Sequence, residues 1–263
     1  MKKEKPIFRW TIGPVYHLGY EILIDSVESA QKHWKNEVDY AVIHNNLKPE
    51  WLNYLNAKLK NTQIISAEDK SLPFAPIGVA WKYYPPRIRI NAHELFIDND
   101  LILLKRSKFI DEFLNGDCTL YNEDYGRGFG KLESLIKKEF PDYKTGINSG
   151  LFGFPPGYDI EKYILKHANN WDCHFNEQGL TAYLVLKYKK SLKIPMPIIY
   201  NYNFNDYELA TYGNKYHEFV YEDKIFLDGI DGFHFIGANR GGQDAWEYFK
   251  KNKIHKKNQT KML

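Results

Sequence analysis

The 263-residue sequence predicts an α/β fold, with a mixed central sheet flanked by helices. Short apolar segments alternate with amphipathic helical patterns from the start, which is how strands laid side by side with crossing helices read in sequence. A composition that is 43% apolar and 16% aromatic can bury the core such a sheet needs.

The elements follow in order. A first strand is expected at residues 10–12. Leu23, Val27, Ala30 and Trp34 recur at spacings that place them on one helical face, leading to a second strand at 40–44. Trp51, Leu55 and Leu59 make the next apolar stripe, followed by a short strand at 63–65. This succession of strand and helix resembles the nucleotide-binding half of a Rossmann-like sheet. The pattern breaks between Pro73 and Pro86, then an apolar strand at 95–97 ends at Asp98, Asn99 and Asp100. A helix is expected at 107–115. The polar segment 122–131, with Gly126, Gly128 and Gly130, reads as a mobile loop; it lacks the surroundings of a phosphate-binding loop. A strand at 147–154 stops at Pro155 and Pro156, helices follow at 159–167 and 177–186, and strands are expected at 224–227 and 233–236. No internal repeat or domain boundary is visible, so residues 1–249 are expected to form one domain.

The net charge of +3 is unevenly placed. Lys250, Lys251, Lys253, Lys256, Lys257 and Lys261 lie in the last fourteen residues, so the +3 total less these six leaves the body at −3. A mildly acidic body argues against nucleic acid as a partner, because phosphate-backbone binding needs a basic face. The tail, residues 250–263, is expected to be a solvated, flexible end; weak contact with an anionic membrane surface is the alternative. Cys118 and Cys173 are too few for a disulfide framework or a zinc site. The charged start and the lack of a bilayer-length apolar run lead to the expectation of a cytoplasmic protein, at most peripheral to a membrane.

Asp98 and Asp100 are spaced by two at a strand end, so in extended backbone both carboxylates point to one side, where open α/β sheets gather ligands. Two hard oxygen donors there suit a divalent cation. Asp-Asn-Asp is equally a common polar turn, because such side chains bond their own backbone.

This segment resembles the Asp-any-Asp motif of glycosyltransferases of the A fold. His234 opens His-Phe-Ile-Gly-Ala-Asn-Arg, which looks like the His-aromatic-any-Gly-any-any-Lys segment of the glycogenin-like family and of bacterial lipopolysaccharide sugar transferases, with arginine in the lysine place. Asn148-Ser149-Gly150 resembles that family's donor-sugar strand, and Asn176-Glu177-Gln178 its Asp-Gln element. Residue by residue, these segments also read as a half-buried strand histidine, a strand with a packing glycine, and a helix capped by Asn176.

The resemblance implies a single Rossmann-like glycosyltransferase-A domain, with a nucleotide-binding part at about 8–100 and an acceptor and catalytic part at about 101–249. It implies a hexosyltransferase that takes a UDP-sugar or another nucleotide-sugar donor to a glycan or glycolipid acceptor. The metal ligands would be Asp98, Asp100 and His234, and the ion Mn²⁺ in preference to Mg²⁺. Donor contacts would come from Thr11, Gly13, Asp98, Asn99, Asn148, Gly150, Gly237 and Arg240. Glu177 and Gln178 would be the catalytic pair: Glu177 as a base would invert the anomeric centre, whereas the family resemblance implies retention with both residues positioning. Tyr200, Tyr202, Phe204 and Tyr207 would offer a sugar-stacking acceptor surface if exposed, and packing if buried. Competing readings are a catalytically silent nucleotide- or glycan-binding relative and a sugar-phosphate nucleotidylyltransferase; the latter normally carries a basic, glycine-rich loop where this chain has residues 13–19 without Lys or Arg.

Overall fold

The computed structural model of the chain describes residues 4–67, 82–124, 129–143, 145–167, 175–196, 198–201, 220–221, 224–225, 229–235, 246–247 and 250. In chain order its elements are β1 (Ile7–Ile12), α1 (His17–Trp34), β2 (Asp39–His44), α2 (Pro49–Lys58), β3 (Thr62–Ser66), β4 (Glu94–Ile97), β5 (Leu101–Leu103), α3 (Lys108–Asn115), β6 (Thr119–Asp124), α4 (Glu133–Glu139), β7 (Gly146–Phe154), α5 (Glu161–His167), α6 (Phe175–Leu186), β8 (Ser191–Ile194), β9 (Ile199–Asn201), β10 (Val220–Tyr221), β11 (Lys224–Ile225) and β12 (Gly232–His234).

A seven-stranded sheet runs in the order β3-β2-β1-β4-β7-β6-β8. The strands from β3 to β4 are mutually parallel, and β7 lies antiparallel between β4 and β6. Phe8, Trp10 and Ile12 alternate into one layer, where Tyr20, Leu23, Val27, Ala30 and Trp34 of α1 cover them. Trp10 and Trp34 are fully buried, and each contributes on the order of 2–3 kcal/mol through burial alone. Trp10 Nε1 donates to Ser26 Oγ, and Ser26 donates to the Leu101 carbonyl, so α1 is tied to both sheets.

The opposite layer packs α4, α5 and α6 over Phe96, Tyr121, Phe152 and Phe154. On this side Arg9 is fully buried and bonds Glu94 at 2.9 Å, with its guanidinium over the Phe96 ring. It also donates to the Tyr84 and Pro85 carbonyls, which binds the segment before β4 to the sheet.

A second, small sheet has the order β5-β12-β9. Its register sets His234 opposite Leu101 on one side and Asn201 on the other. Past β12, Trp246 Nε1 donates to Asp25 of α1 at 3.0 Å, which fastens the chain back to the first helix.

Residues 122–124, read from sequence as the start of a loop, are the end of strand β6. Their side chains find partners inside the fold: Asn122 donates to the Ile199 carbonyl, Asp124 accepts from Asn148, and Glu123 pairs with Lys193. Residues 125–128 of that segment, and the whole tail from 251, lie outside the described residues. The expected strand at 224–227 is described only at Lys224–Ile225. Helix α6 begins at Phe175, so Asn176 sits within its first turn and not at a cap. Among the described residues no helix is long and apolar enough to cross a membrane.

Candidate active site

Asp98 directly follows β4 and Asp100 directly precedes β5. Leu101 N–H donates to the Asp98 carbonyl at 3.1 Å, so the segment turns through its backbone. The Asp98 N–H donates to the Gly150 carbonyl of β7 at 2.8 Å, and the Phe235 N–H to the Asp100 carbonyl at 2.9 Å. These backbone bonds hold the turn against the strands on either side.

His234 Nε2 lies 3.2 Å from Asp100 Oδ1 and 3.6 Å from Asp98 Oδ2. One donor atom from each residue falls within 4.8 Å of the others. Two donors each about 2.1 Å from one ion and at right angles to it stand about 3 Å apart, so this spacing admits a cation. The chemistry of the set agrees, since two carboxylates with one imidazole suit Mn²⁺ and leave room for other oxygen ligands.

The carboxylates dominate the local electrostatics. Burial opposes a charged His234, yet Asp100 and Asp98 outweigh it and push the imidazole up to about 9. Burial would raise the Asp98 carboxyl, but Lys82 and His234 pull it down to about 2.

Lys82 was not singled out from the sequence. Its ammonium sits 2.7 Å from Asp98 Oδ1, 2.5 Å from Glu177 Oε1 and 2.9 Å from the Ser149 carbonyl. Burial works against its charge, but the two carboxylates hold it protonated above its ordinary value. Glu177 is displaced upward, chiefly by burial, with Lys82 acting in the opposite direction. A lone lysine inside the aromatic run Trp81-Lys82-Tyr83-Tyr84 was the available signal.

Glu177 and Gln178 occupy the buried first turn of α6. Tyr83 Oη bonds Thr181 and donates to the Glu177 carbonyl at 3.3 Å, which joins the Lys82 segment to this helix. Gln178 Nε2 is buried with no hydrogen-bond partner among the described residues, a state that a bound ligand would relieve.

Gly150 and Asn148 lie on β7 beside the cluster. Asn148 Oδ1 accepts from the Gly150 N–H at 2.7 Å, and a Cβ at position 150 would stand 2.4 Å from His234 Cε1. Thr11 lies near the end of β1, the strand that pairs with β4 over Ile7–Arg9 and Glu94–Phe96. Gly13 follows β1 at the same edge with open space around it, and Asn99 is half-buried in the turn. Gly237 and Arg240 lie outside the described residues, as do Tyr202, Phe204 and Tyr207. Tyr200 is buried edge-on against Phe233 at 5.9 Å. Side chains alternate along β9, so with Asn201 facing His234, Tyr200 is turned into the packing and away from any sugar-stacking surface.

No protein-family model and no curated protein sequence matches the chain. Solved structures do match. The galactosyltransferase LgtC, in complex with donor and acceptor sugar analogues, superposes with a TM-score of 0.58 at 12% identity, over 95% of this chain and 98% of that one. The glycosyltransferase GlyE of Streptococcus pneumoniae TIGR4 gives 0.54 at 14% identity, over 98% of this chain and 66% of that one. Mouse xyloside xylosyltransferase 1 in its apo form gives 0.53 at 11%, over 86% and 96%. The chain therefore has the glycosyltransferase-A fold, the α/β class that its sequence predicts.

Proposed function

We propose that the chain is a metal-dependent glycosyltransferase. It would move a hexose from a nucleoside-diphosphate donor, with a UDP-sugar expected, to a hydroxyl of a glycan or glycolipid. The observation that carries this reading is the meeting of Asp98, Asp100 and His234 at the carboxyl edge of the sheet, from segments far apart in the sequence. The fold supports it, since the matching structures are those of sugar transferases.

Breaking the bond between sugar and diphosphate leaves negative charge on the departing phosphate, so preorganised positive charge there lowers the barrier most. Asp98, Asp100 and His234 would hold Mn²⁺ or Mg²⁺, which when bound supplies that charge. Following the motif resemblance, Arg240, whose guanidinium can bond two phosphate oxygens at once, and Gly237 are the residues we assign to the diphosphate. Thr11 and Gly13 are assigned to the nucleoside, and Asn99 and Asn148 to the donor.

Glu177 is held by Lys82 at 2.5 Å, which favours a positioning and charge-stabilising role over that of a free base. A carboxylate held in an ion pair is a weaker base toward an acceptor hydroxyl, which agrees better with retention than with inversion. The Gln178 Nε2, buried without a partner among the described residues, is the group we assign to a sugar hydroxyl.

The reading is tested by nucleoside diphosphate release from a panel of nucleotide sugars, with Mn²⁺ or with EDTA. Release from one donor, lost in EDTA, is the expected result and names the donor. Absence of release from every donor, with and without sugar acceptors, would move the assignment to a non-catalytic binding protein.

A further inference from the structure

We infer that Asn201 and Gly150 form a socket that positions His234 as a metal ligand, an inference that rests on the metal reading above. His234 is buried, and its two ring nitrogens face different partners. Nε2 faces Asp100 and Asp98, while Nδ1 lies 3.2 Å from Asn201 Oδ1. A neutral imidazole carries one N–H and one lone pair, so an acceptor at Nδ1 places the proton there and leaves the Nε2 lone pair for the ion. The β9 to β12 register, with Asn201 opposite His234, makes this contact a consequence of strand pairing.

Gly150 supplies the room. An added Cβ would come within 2.4 Å of His234 Cε1 and 2.6 Å of Nδ1, so the ring occupies the space any other side chain would take. Asn148 fixes this stretch of β7 by accepting the Gly150 N–H. The choice of an amide at 201 also matters. It orients the ring without adding a third negative charge beside Asp98 and Asp100, whose repulsion would have to be offset whenever the ion left. Asn201 and Gly150 are therefore positioning residues that act through His234.

The test is equilibrium Mn²⁺ binding by the full chain, read from the electron paramagnetic resonance signal of free Mn²⁺, with unfolding midpoints in EDTA as the check on folding. Asn201→Leu and Gly150→Ala are expected to lose about 10- to 100-fold in affinity. Asn201→Asp keeps the acceptor oxygen and is expected to stay within roughly threefold of the parent, a rescue that a merely structural role would not give. Asn201→Leu binding as tightly as the parent would overturn the socket, and so would Asn201→Asp losing as much as Asn201→Leu. If Gly150→Ala fails to fold, the two Asn201 variants still decide. A parent that binds no Mn²⁺ would overturn the metal reading and the socket with it, whereas a parent that binds alongside an unaffected Asn201→Leu overturns the socket alone.

Discussion

Lys82 bridges Asp98 and Glu177, with its ammonium 2.7 Å from one carboxylate and 2.5 Å from the other. Removing it leaves the buried Glu177 and the half-buried Asp98 carboxylates without their shared counter-charge. Breaking a buried pair by deleting one partner typically costs about 3–5 kcal/mol, because the remaining charge stays desolvated. Lys82→Met is therefore expected to lose stability of that order in urea unfolding at neutral pH, and Lys82→Met with Glu177→Leu to recover part of it. A single variant as stable as the parent would show that the bridge carries no such weight.

Gly179 sets how closely α6 approaches the turn at residues 130–132. A Cβ there would stand 2.1 Å from the Phe129 carbonyl oxygen, a backbone atom that cannot swing away. Gly179→Ala must push the helix outward and carry Glu177 and Gln178 with it. Overpacking of this kind costs about 1–3 kcal/mol. The unfolding midpoint in urea should fall accordingly, with a matching fall in sugar transfer; an unshifted midpoint would contradict the close contact.

Asp39 offers a pH test away from the candidate site. Burial would raise its carboxyl, but Lys5 at 2.9 Å and Arg89 hold it below the ordinary aspartate value of 3.8. A depressed folded value means that this contribution is fully present above 3.8 and is lost as pH falls through the lower folded value. The stability gap between the parent and Asp39→Asn should therefore narrow on acidification below pH 3.8, and added salt should shrink it because the pair is partly exposed. A gap independent of pH would remove the linkage.

The first three strands and two helices were legible in the sequence because short apolar segments stand between helical stripes: Leu23, Val27, Ala30 and Trp34 recur at helical spacing, as do Trp51, Leu55 and Leu59. Strand β6 was hidden because Asn122, Glu123 and Asp124 are polar, and their partners lie 24 to 77 residues away. The short strands β5 and β9 carry too few residues to show a period, yet they bring His234 to Asp100 and Asn201. Asp98, Asp100 and His234 could be named in advance because metal-ligand residue types stood in recognisable motifs. Lys82, Asn201 and Asp124 could not, since their place is set by long-range pairing that no local spacing encodes.

Asp100→Ala gives the most direct test of the central claim. Asp98 is also tied to Lys82, so its loss would disturb folding as well as ion binding, whereas the Asp100 carboxylate faces His234. The measurement is the rate of sugar transfer with Mn²⁺, from the donor identified in the release panel, for the parent and for Asp100→Ala. The account predicts a fall of about 10²- to 10³-fold, comparable to losing one main source of transition-state charge stabilisation, with the unfolding midpoint in EDTA preserved. Transfer by Asp100→Ala at the parent's rate would contradict it.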